Sequence, residues 1–229
     1  MKQTLVRAKA LIVLLSALSI VASESAAQER MIVDGHRLIY DLSESSGLSK
    51  ADRMILPDDH LLLGELLMEH PVVDTVVVSG DGGFNWPAYE MARKIESFGL
   101  STVARHGCAS ACATVLLGGV ERTMEPGATV GFHSMSNDAN DLRDAYHRMK
   151  KKRGWKDEFA FAAYIFERGA TSSRDYIEFL INRGVKAEFA LRALTYSSDD
   201  MWYPTEEELL ESGVLTRRAK TAEEEAATP

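Results

Sequence analysis

Cysteine is scarce in this chain: only Cys108 and Cys112 are present. A closed zinc site needs about four ligands with characteristic spacing, and His106 alone does not supply the rest. No metal site is therefore expected. An excess of basic charge is also missing. Lys and Arg total 26 against 34 Asp and Glu, a net charge of −8. An acidic surface disfavours nucleic acid and anionic lipid as partners. The short basic run Lys150-Lys151-Lys152-Arg153 sits beside acidic residues and reads as a solvated helix face. Long apolar runs are missing too. None reaches the roughly 20 residues that span a bilayer, so no stable membrane span is expected in the mature form. Cofactor fingerprints are absent: Gly80-Asp81-Gly82-Gly83 fits neither the dinucleotide motif nor the P-loop, and Asp81 would repel phosphate.

What is present starts with an export signal. Lys2, Arg7 and Lys9 precede an apolar run from Ala10 to Val21, and Ser25-Ala26-Ala27 supplies small residues. This is the layout of a secretory signal peptide over residues 1–27, cleaved after Ala27. The mature chain is then periplasmic or secreted, and its two cysteines face an oxidising compartment. Their spacing permits a bridge where a turn enters a helix, provided the Cα separation suits.

With 229 residues, of which 45% are hydrophobic, the chain can build one domain with a real core. Residues 31–40 suggest a hairpin around Asp34-Gly35. Residues 41–58 read as loop, and 60–69 as a helix. Val72 to Ser79 is a β-branched apolar run, Val-Val-Asp-Thr-Val-Val-Val-Ser, the mark of a buried parallel strand. A helix over 87–98 closed by Gly99, a strand over 101–105, a helix over 110–118 and a strand over 128–133 follow. The fold class is α/β, with crossovers between parallel strands and ligand sites at their carboxyl ends. Residues 139–194 read as mainly helical, broken at Gly154, Gly169 and Gly184, and the tail after 216 as flexible and acidic.

The chemistry centres on Gly107-Cys-Ala-Ser-Ala-Cys-Ala113, a run with almost no bulk. Ser110 at such a helix start is either an N-cap or a nucleophile open to a crevice. His133, at the end of the strand Ala128-Thr-Val-Gly-Phe132, is a candidate base for it, with His106 as a rival. Gly82-Gly83 can turn backbone N–H groups into the same cavity, where one pairs with the N–H of Ala111 to hold an oxyanion.

These residues resemble the Clp protease proteolytic subunit within the ClpP/crotonase superfamily. The shared features are a Gly-Gly loop after a strand, a small-residue turn carrying Ser about 27 residues later, the helix Ala-Thr-Val-Leu-Leu-Gly-Gly, a Pro-Gly turn, and a strand ending in His. The likeness is closer still to exported ClpP-like proteins with two cysteines around the serine. It implies a repeated ββα spiral core over residues 28–216. It implies a Ser110–His133–Asp200 triad, with Asp199 as the alternative acid, and an oxyanion hole from Gly83 and Ala111. It further implies a serine peptidase without cofactor that takes peptides or unfolded proteins and assembles as a homo-oligomer through the 139–194 helices. Two other readings share the fold: a catalytically silent binding module, and a crotonase-type enzyme acting on coenzyme A thioesters. An exported chain meets neither that cytosolic cofactor nor ATP.

Overall fold

The structure, a computed structural model, describes residues 30–219. The signal segment, its cleavage point at Ala27 and the tail from residue 220 lie outside the described residues.

The first hairpin forms as its turn chemistry predicts. Strands β1 (Met31–Asp34) and β2 (Arg37–Asp41) pair antiparallel, with Asp34 opposite Arg37 across Gly35-His36. Gly35 takes φ 58°, a conformation open to it because it has no Cβ. From β2 onward every pairing along the sheet is parallel. Strands β3 (Thr75–Gly80), β4 (Ser101–Ala109) and β5 (Arg122–Met124) follow in that spatial order, and β6 (Thr129–Gly131) pairs with the far end of β4. The connections run through α1 (Asp59–Glu69), α2 (Asn85–Ser97) and α3 (Ala111–Leu116). The result is a mixed α/β fold with a six-stranded sheet and seven α-helices among the described residues.

The buried run in β3 shows why the sheet is parallel. Val76, Val77 and Val78 are each exposed by 1% or less. Successive strand residues point to opposite faces, so both faces of β3 are covered. Leu63, Ala88, Met91, Ile95, Val115 and Leu116 join this core from the three crossover helices.

Three features depart from expectation. β4 does not stop at Arg105. It is kinked at His106, which has φ 55°, and its register against β3 shifts between Val78 and Gly80. It then runs on through Gly107, Cys108 and Ala109 by pairing with β6. A bulge lets a strand re-aim its last residues. Second, the 41–58 loop is not loose. Ile55 is fully buried and forms a bridge with Gly83, through Ile55 N–H to Gly82 O at 2.8 Å and Phe84 N–H to Ile55 O at 3.0 Å. Third, Gly169 does not break a helix. It lies inside α5 (Glu158–Asn182), where an exposed glycine lowers helix stability without ending it. Gly154 and Gly184 do fall at helix ends, both with positive φ.

The helical segment begins with α4 (Ala139–Arg153), capped by Asp138. Tyr146 of α4, Trp155, and Phe161 and Tyr164 of α5 form an aromatic cluster, with Trp155 and Phe161 ring centres 4.9 Å apart. Phe159 and Phe166 stay 84% and 80% exposed. Helices α6 (Ala187–Ala193) and α7 (Glu206–Ser212) are the last elements among the described residues. No helix among the described residues is long and apolar enough to cross a membrane.

The C-terminal segment is tied back to β5. The buried guanidinium of Arg122 donates to the carbonyls of Gly119, Arg183, Gly213 and Val214. Thr216 N–H donates to Arg122 O at 3.0 Å.

Candidate active site

Ser110 sits between β4 and α3 with φ 57° and ψ −125°. A residue with a Cβ pays for such a conformation, on the order of 1–3 kcal/mol, and keeps it only where its surroundings dictate it. Here they do. Ser110 N–H donates to Gly131 O at 2.9 Å, which fixes the turn to β6. The bare α-carbon of Gly82 packs against the turn from the other loop: a Cβ there would lie 2.8 Å from both Ser110 Cβ and Ala111 N. Cys108 and Cys112 are joined by a disulfide with their Cα atoms 5.2 Å apart. The Ser110 side chain makes no capping hydrogen bond to α3, so the hydroxyl is not engaged as an N-cap.

It is engaged by His133 instead. Nε2 of His133 lies 2.7 Å from Ser110 Oγ. The histidine follows β6, and its backbone is fixed on both sides. Phe132 and Trp202 exchange main-chain hydrogen bonds at 2.8 and 2.9 Å, and Ser134 N–H donates to Tyr196 O at 2.7 Å. Nδ1 lies 2.5 Å from the main-chain oxygen of Ser134. A carbonyl oxygen can only accept, so Nδ1 carries the proton in the neutral ring. Nε2 then presents a lone pair to the Ser110 hydroxyl, the arrangement a general base requires.

The carboxylates stand elsewhere. Asp199 and Asp200 are both exposed, and among the described residues neither hydrogen-bonds to His133. The segment itself comes close, because Trp202 pairs with Phe132 directly before His133. The turn from Ser197, closed by Asp200 N–H to Ser197 O at 3.2 Å, leaves the two side chains in solvent. They are not helix caps either. Thr205 caps α7 in a reciprocal pair with Glu208. His106 is exposed at the β4 kink and makes no hydrogen bond to Ser110.

The two loop glycines divide their work. Gly82 gives the close approach to Ser110, and Gly83, with φ 142°, lies against Ile55, where a Cβ would meet the Ile55 N at 2.4 Å. The N–H groups of Gly83 and Ala111 have no hydrogen-bond partner among the described residues. Ala111 is the first residue of α3, whose leading amides have no partner within the helix.

Around Ser110 and His133 lies a small, partly open crevice walled by Asn85, Thr114, Ser134, Met135 and Tyr176. None of these is a charged side chain. Burial pushes the Tyr176 phenol well up, so it stays neutral. Tyr176 belongs to α5, far along the chain, and no local pattern singles it out. Asn85 and Thr114 had a weaker signal, since Asn85 begins the helix after one site loop and Thr114 lies one turn into the helix after Ser110. Among the described residues no group of three or more His, Cys, Asp or Glu side chains is placed to hold a metal ion.

No family model and no curated protein matches the chain. Several solved structures do align with it. ClpP1 from Listeria monocytogenes aligns at 13% identity and TM-score 0.47, over 74% of this chain and 89% of its own. A membrane-bound stomatin-specific protease aligns at 15% identity and TM-score 0.45, over 75% and 77%. A protein described as an enoyl-CoA hydratase from Streptomyces coelicolor aligns at 16% identity and TM-score 0.45, over 86% and 69%.

Proposed function

We propose that the chain is an exported serine hydrolase that cleaves peptide bonds, with Ser110 as nucleophile and His133 as general base. One observation carries this reading: Ser110 is held at positive φ, free of any capping role, with its hydroxyl 2.7 Å from His133 Nε2. Strain of this kind at a strand-to-helix turn exposes a nucleophile. Export is supported by the layout of residues 1–27 and by the disulfide, which suits an oxidising compartment.

The reaction follows from the geometry. Ser110 Oγ attacks the substrate carbonyl carbon as its proton passes to His133 Nε2. The carbonyl oxygen becomes an oxyanion and takes hydrogen bonds from the N–H groups of Gly83 and Ala111. The C–N bond then breaks, and the leaving amine receives the proton from Nε2. Water repeats the sequence on the acyl-enzyme and frees Ser110. The Ser134 carbonyl holds the ring through Nδ1–H, the role a carboxylate fills in a Ser-His-Asp triad. Neither a cofactor nor ATP enters any step. Self-association through α4 and α5 is part of this reading, supported by the exposed Phe159 and Phe166.

A second reading, a catalytically silent binding module, is favoured by one observation: among the described residues no carboxylate hydrogen-bonds to His133. A fluorophosphonate probe separates the two. The oxidised wild type gains the mass of one phosphonyl group at Ser110 and loses peptide hydrolysis, while Ser110→Ala does neither. An unlabelled wild type, or a Ser110→Ala protein that cleaves as fast as wild type, would overturn the hydrolase reading.

A further inference from the structure

The geometry points to the Cys108–Cys112 disulfide as a positioning element for the nucleophile: it holds Ser110 at positive φ and keeps the leading amides of α3 on the crevice. This inference rests on the hydrolase reading above.

The two half-cystines are anchored differently. Cys108 belongs to the sheet and is paired with Gly80 on one side and Val130 on the other. Cys112 lies in the first turn of α3, which is only six residues long. A helix this short has little stability of its own. The bridge ties its first turn to the sheet, with Ser110 as the midpoint of the closed loop. Cys108 and Cys112 are 0% and 3% exposed, so the link lies inside the core.

A residue with a Cβ at φ 57° relaxes towards negative φ when its neighbours allow it. Rotation there would swing Ala111 and the start of α3 relative to β4. The 5.2 Å separation of Cys108 and Cys112 Cα atoms forbids that swing while the bridge is intact. The loop it closes spans a sequence separation of only 4. Chain-entropy stabilisation grows with loop length, so it is small for so short a loop. The larger effect of the bridge is local, on the residue it encloses.

Replacing both cysteines by alanine tests this. The expected protein keeps its far-ultraviolet circular dichroism spectrum and a KM within about twofold of wild type. Its kcat and its rate of fluorophosphonate labelling fall about 10²-fold, the effect of a displacement on the order of 1 Å. A second readout does not depend on activity. In a Ser110→Gly background, position 110 has no strain to release when the bridge is lost, so bridge removal lowers Tm more there than in the Ser110 background. A bridge that merely staples the fold gives equal drops in Tm in both backgrounds and an unchanged kcat, and that result would overturn the proposal. If the alanine pair does not fold, the wild type is titrated with dithiothreitol. Labelling lost in step with thiol appearance, before the dichroism signal changes, supports the proposal; labelling lost only with that signal overturns it. A wild type that never labels defeats the hydrolase reading, and the Tm comparison still decides whether the bridge holds Ser110.

Discussion

Nδ1 of His133 lies 2.5 Å from the main-chain oxygen of Ser134, and this contact leaves Nε2 as the ring nitrogen that Ser110 meets. The orienting acceptor is part of the backbone and cannot be removed by substitution. Asp199→Asn and Asp200→Asn are therefore expected to keep kcat/KM within about threefold of wild type, whereas His133→Ala lowers it by about 10²–10⁴-fold, the range for a lost general base. Steady-state hydrolysis of a reporter peptide by the three variants checks this. A loss at Asp200→Asn as large as that at His133→Ala would show a carboxylate at work on the ring.

Gly82→Ala is expected to damage both stability and activity. Its Cβ would stand 2.8 Å from Ala111 N and Ser110 Cβ, at a φ of 107° that side chains rarely adopt. Overpacking of this kind costs about 1–3 kcal/mol, and the backbone conformation adds to it. The shift in urea midpoint measures the first effect and the labelling rate of Ser110 the second. A variant matching wild type in both would mean that the loop yields freely.

The opposite sign is expected at Gly169→Ala. This glycine is exposed in the middle of α5, has no atom within 4 Å of an added Cβ, and does not use positive φ. Alanine there raises stability by about 0.5–1 kcal/mol, read as a higher midpoint in urea with an unchanged slope. A destabilised variant would place another surface against that face of the helix.

Tyr89→Phe tests a buried hydroxyl. The Tyr89 oxygen has no hydrogen-bond partner among the described residues, and its ring stands edge-on to Phe179 with centres 5.0 Å apart. Burial, helped by the charge of Asp175, pushes its phenol up to about 12. A folded-state value above the unfolded one means stability present below pH 10 and lost as the pH rises towards 12. Phenylalanine is expected to hold Tm at or above the wild-type value at pH 7 and to lessen the loss across that alkaline window. A variant that loses about 2 kcal/mol at pH 7 would show that the hydroxyl is bonded in solution.

Much of the core could be read from the chain because its signals are local. The Val76–Val78 run marks a strand buried on both faces, the position of His133 follows from where a strand ends, and that of Ser110 from where a helix starts. The parts that could not be read depend on partners distant in sequence. β4 passes His106 because β6 offers its backbone 22 residues further on. β5, only Arg122–Met124, exists through its pairing with β4. The same limit applies at the site. The family resemblance implies that the segment carrying Asp199 and Asp200 meets His133, and the segment does arrive there through the Phe132–Trp202 pairing. The direction of its carboxylates is set by the turn from Ser197, which has no signature in the residues themselves.

The grip of Arg122 on the carbonyls of Gly213 and Val214 bears on how the protein reaches its final state. A guanidinium enclosed in the sheet without acceptors would be a heavy burden, and half of its acceptors lie within the last few described residues. Until residues 213 and 214 have docked, Arg122 lacks two of its four carbonyl acceptors. Burial of Arg122 and docking of the 213–216 segment are therefore coupled, and neither is complete without the other.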